Sequence, residues 1–234
     1  MHSEIRVGLI GDFNEQHRAH QAIPKALQAA SDGVEIVWIP TDSAGDAQSL
    51  SGCDGLWCAP GMPYRNPEGA IRAIGHARTT RTPFLGTSAG FQYAILEYAR
   101  NVLGLPHAEH QKAKPDSAMP LISELNCALA GVKARVHFIP GSRLHKAYGK
   151  KESIEEYHCS YAINPRYRRL IEGRDLCVAA LDDDQHIRAV ELDGHPFFVA
   201  TLFQPELHAA ISPIVGAFAH ACATMKGKRT QAAG

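Results

Sequence analysis

Residues 83–104, PFLGTSAGFQYAILEYARNVLG, constrain the fold of this chain more than any other segment. An apolar strand end runs through Gly86-Thr87-Ser88-Ala89-Gly90 directly into an amphipathic helix, which is the G-x-S-x-G form of a nucleophile elbow. Gly86 and Gly90 leave room for a sharp strand-to-helix turn, and that turn pushes Ser88 out above the sheet edge. Ser88 then stands at a helix N-terminus, where free N–H groups and the macrodipole favour developing negative charge.

The segments around this turn alternate between strand and helix. Apolar runs at Arg6–Ile10, Val34–Ile39, Gly55–Cys58 and Pro83–Gly86 read as buried strands. Helical periods at His17–Ala30, Glu68–Thr79 and from the elbow to about Leu103 separate them. Continuous apolar strands divided by helices predict an α/β fold of three layers: a mostly parallel central sheet with helices on both faces. Ligands gather at the carboxyl ends of such strands, so Gly11-Asp12, Pro60-Gly61 and the Ser88 turn are expected to line one crevice. Residues 105–120 read as a surface loop. Strands at Ala134–Ile139, Glu155–Ile163, Cys177–Leu181, His186–Leu192 and Phe197–Phe203 add a small antiparallel portion, with Asp182-Asp183-Asp184 and Asp193-Gly194 as turns. A last helix is expected over Glu206–Met225, with Leu207, Ile211, Ile214, Val215 and Phe218 on its apolar face. One domain, residues 1–225, and a frayed tail, 226–234, complete the expectation.

Bulk composition narrows the partners. Lys plus Arg and Asp plus Glu both number 24, and no long basic run precedes the tail, which argues against nucleic acid. No apolar stretch reaches membrane-spanning length and no secretory pattern opens the chain, so a cytoplasmic protein is expected. The six cysteines contain no C-x-x-C pair and read as reduced thiols. The thirteen histidines show no H-x-x-x-H or H-E-x-x-H spacing, so neither a metal nor another cofactor is expected.

Further motifs sharpen the picture. Ala59-Pro60-Gly61 with Arg65 and Gly69, Tyr93–Leu105 after the elbow, Tyr161-Ala162-Ile163-Asn164-Pro165 and Phe203-Gln204-Pro205-Glu206 occur in an order that resembles the class I glutamine amidotransferase family. The resemblance is strongest to the glutaminase domain of CTP synthase, covers Ile5 to about Phe218, and implies the domain alone without a synthetase module. It implies a cysteine at the elbow, a histidine to take its proton and a glutamate to orient the histidine. Here those positions hold Ser88, Gln204 and Glu206. A serine without an adjacent base is a weak nucleophile, and a neutral amide supplies no base. Ordinary glutaminase activity is therefore expected to be impaired or absent.

The resemblance also implies an acid that holds the substrate ammonium and an arginine that holds its carboxylate. Their positions fall on Lys112 and Ser160, while Gln92 is retained. Loss of both charged contacts removes selectivity for a free α-amino acid, at about 1.5–3 kcal/mol each. Oxyanion donors need only backbone: the N–H of Ala89, and that of Met62 after Pro60-Gly61, stand at the family's positions.

Two readings stay open for each remaining group. Ser88 is a nucleophile, as in the serine elbows of peptidase E and cyanophycinase, or a small residue that fits the turn. In Glu155–Tyr161, strand alternation sends Tyr157, Cys159 and Tyr161 to one face and Glu156, His158 and Ser160 to the other. His158 is a base oriented by Glu156 or Glu206, or an ordinary surface histidine; Cys159 is a reactive thiol or a buried one. Glu206 is a catalytic remnant, the acid at a helix start, or both. His110 and Lys112 read an anionic substrate or face solvent. The expected ligand is a small amide or amino-acid derivative, bound by a regulatory module or by a hydrolase or acyl transferase acting at Ser88 on something other than glutamine. A protein partner and a homo-oligomer are both compatible with the sequence.

Overall fold

A computed structural model describes residues 4–232 of the chain. Five parallel strands form one half of its sheet: β1 (Ile5–Ile10), β2 (Val34–Ile39), β3 (Gly55–Cys58), β4 (Phe84–Thr87) and β10 (Phe198–Thr201). They lie in the order β2-β1-β3-β4-β10. The sheet continues through β9 (Ile187–Leu192), β8 (Leu176–Leu181) and β6 (Pro120–Phe138), each antiparallel to its predecessor. A two-residue strand β5 (Glu109–His110) and β7 (Glu152–Ile163) flank β6. The fold is α/β, mostly parallel, with an antiparallel part in the second half.

Of the apolar runs read as buried strands, the central ones are buried on both faces, whereas β2 (Val34–Ile39), at the sheet edge with one pairing partner, is mostly half-buried and only its Ile39 is fully covered. Every residue of β3, β4 and β10 is buried, as expected where helices cover both sides of a parallel sheet. Helix α1 (Arg18–Ala30) turns Ala19, His20, Ile23 and Leu27 inward, at helical spacing. The short α2 (Ala47–Leu50) leads to β3, and α3 (Pro67–Thr80) starts with Asn66 accepting the Gly69 N–H at 3.0 Å and Pro67 in the first turn. Helix α4 (Ala89–Asn101) packs against α3 and is buried from Ala89 to Ala99. Helices α5 (Arg143–Tyr148) and α6 (Arg168–Ile171) are short.

Three expectations fail in the second half. Residues 105–120 are no simple surface loop: Glu109 and His110 pair with β6, and His110 is buried. Strand β6 begins fourteen residues before the predicted Ala134 because its polar, exposed middle, which carries no apolar alternation, is held by pairing with β7. The last helix, α7, spans Pro213–Ala232. Pro205–Leu207 is instead a single 3₁₀ turn, and Ile211 is exposed. Pro213 dictates this start, since proline suits the first helical turn and disfavours helix in the residue before it. Residues 226–232 continue the helix, and Arg229 pairs with buried Asp54.

Candidate active site

Ser88 joins β4 to α4 with φ 53° and ψ −103°, a backbone conformation that side-chain-bearing residues seldom adopt and that costs about 1–3 kcal/mol. Its N–H donates to the Thr201 carbonyl of β10 at 2.8 Å. The glycine at the other side of the turn is sterically required: a Cβ on Gly90 would lie 2.2 Å from the Cys58 carbonyl oxygen. The chain therefore lets α4 approach β3 closely, and Ser88 projects at the carboxyl ends of the parallel strands.

A cavity of about 210 Å³ opens there, lined by residues from separate elements. The loop after β3 brings Gly61 and Met62, α4 brings Gln92, the segment after β5 brings Lys112, and β7 brings His158, Cys159, Ser160 and Tyr161. Gln204, after β10, closes one side, and His17 borders it at the start of α1. Gly11-Asp12 does not line it. Asp12 instead accepts from the Thr41 hydroxyl and from the Arg65 N–H at 2.7 Å, and so ties two loops together beside the site.

The Ser88 hydroxyl has one side-chain partner among the described residues, the thiol of Cys159 at 2.9 Å. Cys159 Sγ also lies 3.2 Å from the Leu202 carbonyl, to which the S–H donates. With its own proton directed at Leu202, the sulfur is left as a weak acceptor of a hydrogen bond from the Ser88 hydroxyl. Burial pushes the Cys159 thiol up to about 11, opposed in part by its hydrogen bond with Ser88, so at neutral pH it stays protonated and is not a base.

His158 does not reach Ser88. Its Nε2 meets Glu156 Oε1 at 2.9 Å, and the same oxygen accepts from Arg18 at 2.6 Å. Those contacts, the His158 bond foremost, hold the Glu156 carboxyl below its usual range. Alternation along β7 explains the split between neighbours: Tyr157 and Cys159 turn inward while His158 is exposed.

Glu206 is buried in a neutral-leaning niche. Its Oε1 accepts from the Thr87 hydroxyl at 3.3 Å, its Oε2 has no partner among the described residues, and the Trp57 indole N–H fixes Thr87 at 3.0 Å. Burial pushes the Glu206 carboxyl up to about 8. It does not cap a helix, because Pro205–Leu207 is a lone 3₁₀ turn. Gln204 is buried; its N–H donates to the Glu156 carbonyl at 2.9 Å, and its amide has no hydrogen-bond partner among the described residues.

Gln92 is held by two neighbours. It donates to the Tyr161 carbonyl at 2.8 Å and accepts from His110 Nε2 at 3.0 Å. His110 Nδ1 accepts the Lys112 N–H at 3.1 Å, which leaves the ring neutral, and burial together with the Lys112 charge pushes it down to about 4. His110 therefore positions Gln92 and does not itself line the cavity. The N–H groups of Met62 and Ala89 have no acceptor among the described residues. The Pro60-Gly61 loop is anchored by His20, whose Nε2 donates to the Pro60 carbonyl at 2.6 Å.

His17 is a lining residue that the sequence motifs do not reveal. Its ring stacks on His20 at 4.5 Å, and burial, then His20 and His158, lowers its affinity for a proton. Two histidines three apart at the start of the helix after β1 are the available signal. Asp182, Asp184 and His186 lie close enough to share a cation, but on the exposed β8–β9 turn. The six cysteines are free thiols, four of them buried. No helix among the described residues is long and apolar enough to cross a membrane.

A sequence model of "Glutamine amidotransferase class-I" matches residues 12–211. The chain belongs to the class I glutamine amidotransferase family. Within the family it is similar to the CTP synthase of Archaeoglobus fulgidus, at 31% identity over 221 residues, covering 88% of this chain and 42% of that protein. The CTP synthase of Methanopyrus kandleri is 34% identical over 223 residues, covering 87% and 42%. The chain thus spans less than half the length of these family members. Among solved structures, the glutaminase domain of Trypanosoma brucei CTPS with bound acivicin superposes with a TM-score of 0.84, at 22% identity and 94% coverage of both chains. A glutamine amidotransferase from Thermotoga maritima gives 0.60 at 10% identity, covering 97% of this chain and 86% of that one. At those identities the structural likeness speaks for the fold alone.

Proposed function

We propose that this chain is an amidotransferase-like binding domain, homologous to the glutaminase domain of CTP synthase, that holds a small amide- or carboxylate-bearing ligand without hydrolysing glutamine. The observation that carries this reading is the partner of Ser88: a protonated thiol 2.9 Å away, with no imidazole or carboxylate against the hydroxyl among the described residues. In the family resemblance Gln204 takes the place of the base, and an amide accepts no proton at neutral pH. Glu206 then has no imidazole to orient, in keeping with a carboxyl that keeps its proton up to about 8. A regulatory role beside a protein partner fits a domain whose curated relatives carry it inside a longer chain.

A second reading, acyl transfer or hydrolysis at Ser88 on another amide or ester, draws support from the strained elbow and from the unpaired N–H groups of Met62 and Ala89. One experiment separates the two. Purified protein is assayed for ammonia release from L-glutamine and treated with a fluorophosphonate, alongside Ser88→Ala. The binding role predicts background ammonia and no adduct. Adduct on Ser88 alone favours acyl chemistry, and ammonia release abolished by Ser88→Ala refutes both readings.

A further inference from the structure

We propose that the cavity beside Ser88 selects a small carboxylate that lacks an ammonium group, with Lys112 as its counter-charge. The inference rests on the reading of this cavity as a binding site and names the ligand class.

The lining offers donors and the lysine charge but no acid. Lys112, Gln92, Gln204 and Ser88 are among its polar side chains, and neither Asp nor Glu lines it. Of the acids near it, Glu206 is buried behind the lining and keeps its proton at neutral pH, and two others are occupied. Glu156 is held by His158 at 2.9 Å and Arg18 at 2.6 Å, with Lys133 at 3.8 Å. Asp12 is held by Thr41 and Arg65. An ammonium entering this cavity loses its water and finds no anion, a cost that a charged group escapes only by pairing.

Lys112 has the opposite need. Its Nζ sits over the Tyr161 ring, 5.9 Å from the centroid, and pairs with no carboxylate among the described residues. The neighbouring His110 cannot share or offset that charge, since its ring is neutral and committed to Gln92 and to the Lys112 N–H. Lys112 is therefore a cation at the cavity wall still free to meet an anion.

The groups around Ser88 define the rest of the ligand. There the N–H groups of Met62 and Ala89 are unpaired, and the Gln204 amide has no partner among the described residues. Two N–H donors beside a serine hydroxyl suit a carbonyl oxygen. The cavity volume of about 210 Å³ is the space of about seven waters at about 30 Å³ each. That matches a chain of about five carbons with a carboxylate at one end and an amide or second carboxylate at the other. Glutaric acid and its monoamide share this chemistry, and L-glutamine differs from the monoamide only by the α-ammonium group.

The test is calorimetric titration of the full chain at pH 7 with glutarate, glutaramate, L-glutamine and glutaramide. Glutarate or glutaramate is expected to bind about tenfold or more tightly than L-glutamine and than uncharged glutaramide, a gap of about 1.4 kcal/mol. Lys112→Met, on an exposed side chain, is expected to remove that preference, and Lys112→Arg to keep it, with unchanged thermal unfolding of the free proteins as the folding control. Binding of L-glutamine as tight as that of glutaramate overturns the proposal. So does an unaltered affinity in Lys112→Met, or no heat from either carboxylate at millimolar concentration. Ammonia release is read separately: Ser88-dependent release with the carboxylate preference intact refutes only the absence of glutamine hydrolysis, and a lost preference without release refutes only the ligand class.

Discussion

Glu206 keeps its proton because water is excluded from it and only the Thr87 hydroxyl and its own backbone N–H favour the anion. In the unfolded chain a glutamate releases its proton near 4.5. Below that pH both states carry the proton, and the contribution to stability is fully present. As pH rises from about 4.5 to about 8 the unfolded chain ionises while the folded one does not, so stability is lost across this window at up to about 1.4 kcal/mol per unit. The unfolding free energy of the wild type, read from urea melts, is expected to fall between pH 5 and pH 8 by on the order of a few kcal/mol more than that of Glu206→Gln, which keeps the shape and removes the titration. Equal pH slopes in the two proteins would mean that Glu206 is already ionised in the native state. The elbow shows the same logic of environment over identity. Ser88 and Cys159 are both potential nucleophiles by type, yet each only donates a hydrogen bond to a weak or neutral acceptor, the thiol sulfur and the Leu202 carbonyl, and neither meets a base that would take its proton among the described residues.

Helix α4 is buried through eleven successive residues, so it has no solvent face on which to place a charge. Glu97 lies in its middle with a fully buried side chain, matched by Arg78 of α3 through Nε at 3.0 Å and Nη2 at 2.8 Å, and by Asn101 at 3.2 Å. This bidentate pair fixes α3 against α4, and with them the elbow that α4 continues. Removing one partner strands a buried charge: Arg78→Met is expected to cost about 3–5 kcal/mol in urea unfolding, and Arg78→Met with Glu97→Leu much less than the single change. A single change as mild as the double one would show that the pair is hydrated. The helix and the elbow were legible in the sequence because glycine spacing and apolar periodicity are local signals. The pair was not, because nothing local says that a glutamate on one helix faces an arginine nineteen residues away on another.

Across the whole molecule, α7 closes the fold by crossing β1 and β3, seating Phe218 edge-on against Trp57 at 5.9 Å and Cys222 where Gly55 leaves space. Its last turns carry Lys226 and Arg229 to Asp54, which is buried beneath them. Removing residues 226–234 is therefore expected to lower Tm by roughly 2–8 °C, the effect of about 1–2 kcal/mol for a chain of this size; an unchanged Tm would return those residues to the role of a frayed tail. A polar end such as KGKRTQ looks dispensable when read alone, because the acid it covers is far away in sequence. The same division runs through the protein. Local pattern alone determined the parallel half-sheet, its covering helices, the elbow, the family and most of the cavity lining, since apolar period, turn glycines and short motifs are written in consecutive residues. Tertiary structure decided what touches Ser88, that His158 faces Glu156, that His110 serves Gln92, and that Lys112 stands without an acid among the described residues. Those outcomes depend on which strand crosses the mouth of the site and which face it turns inward, and only long-range pairing sets them.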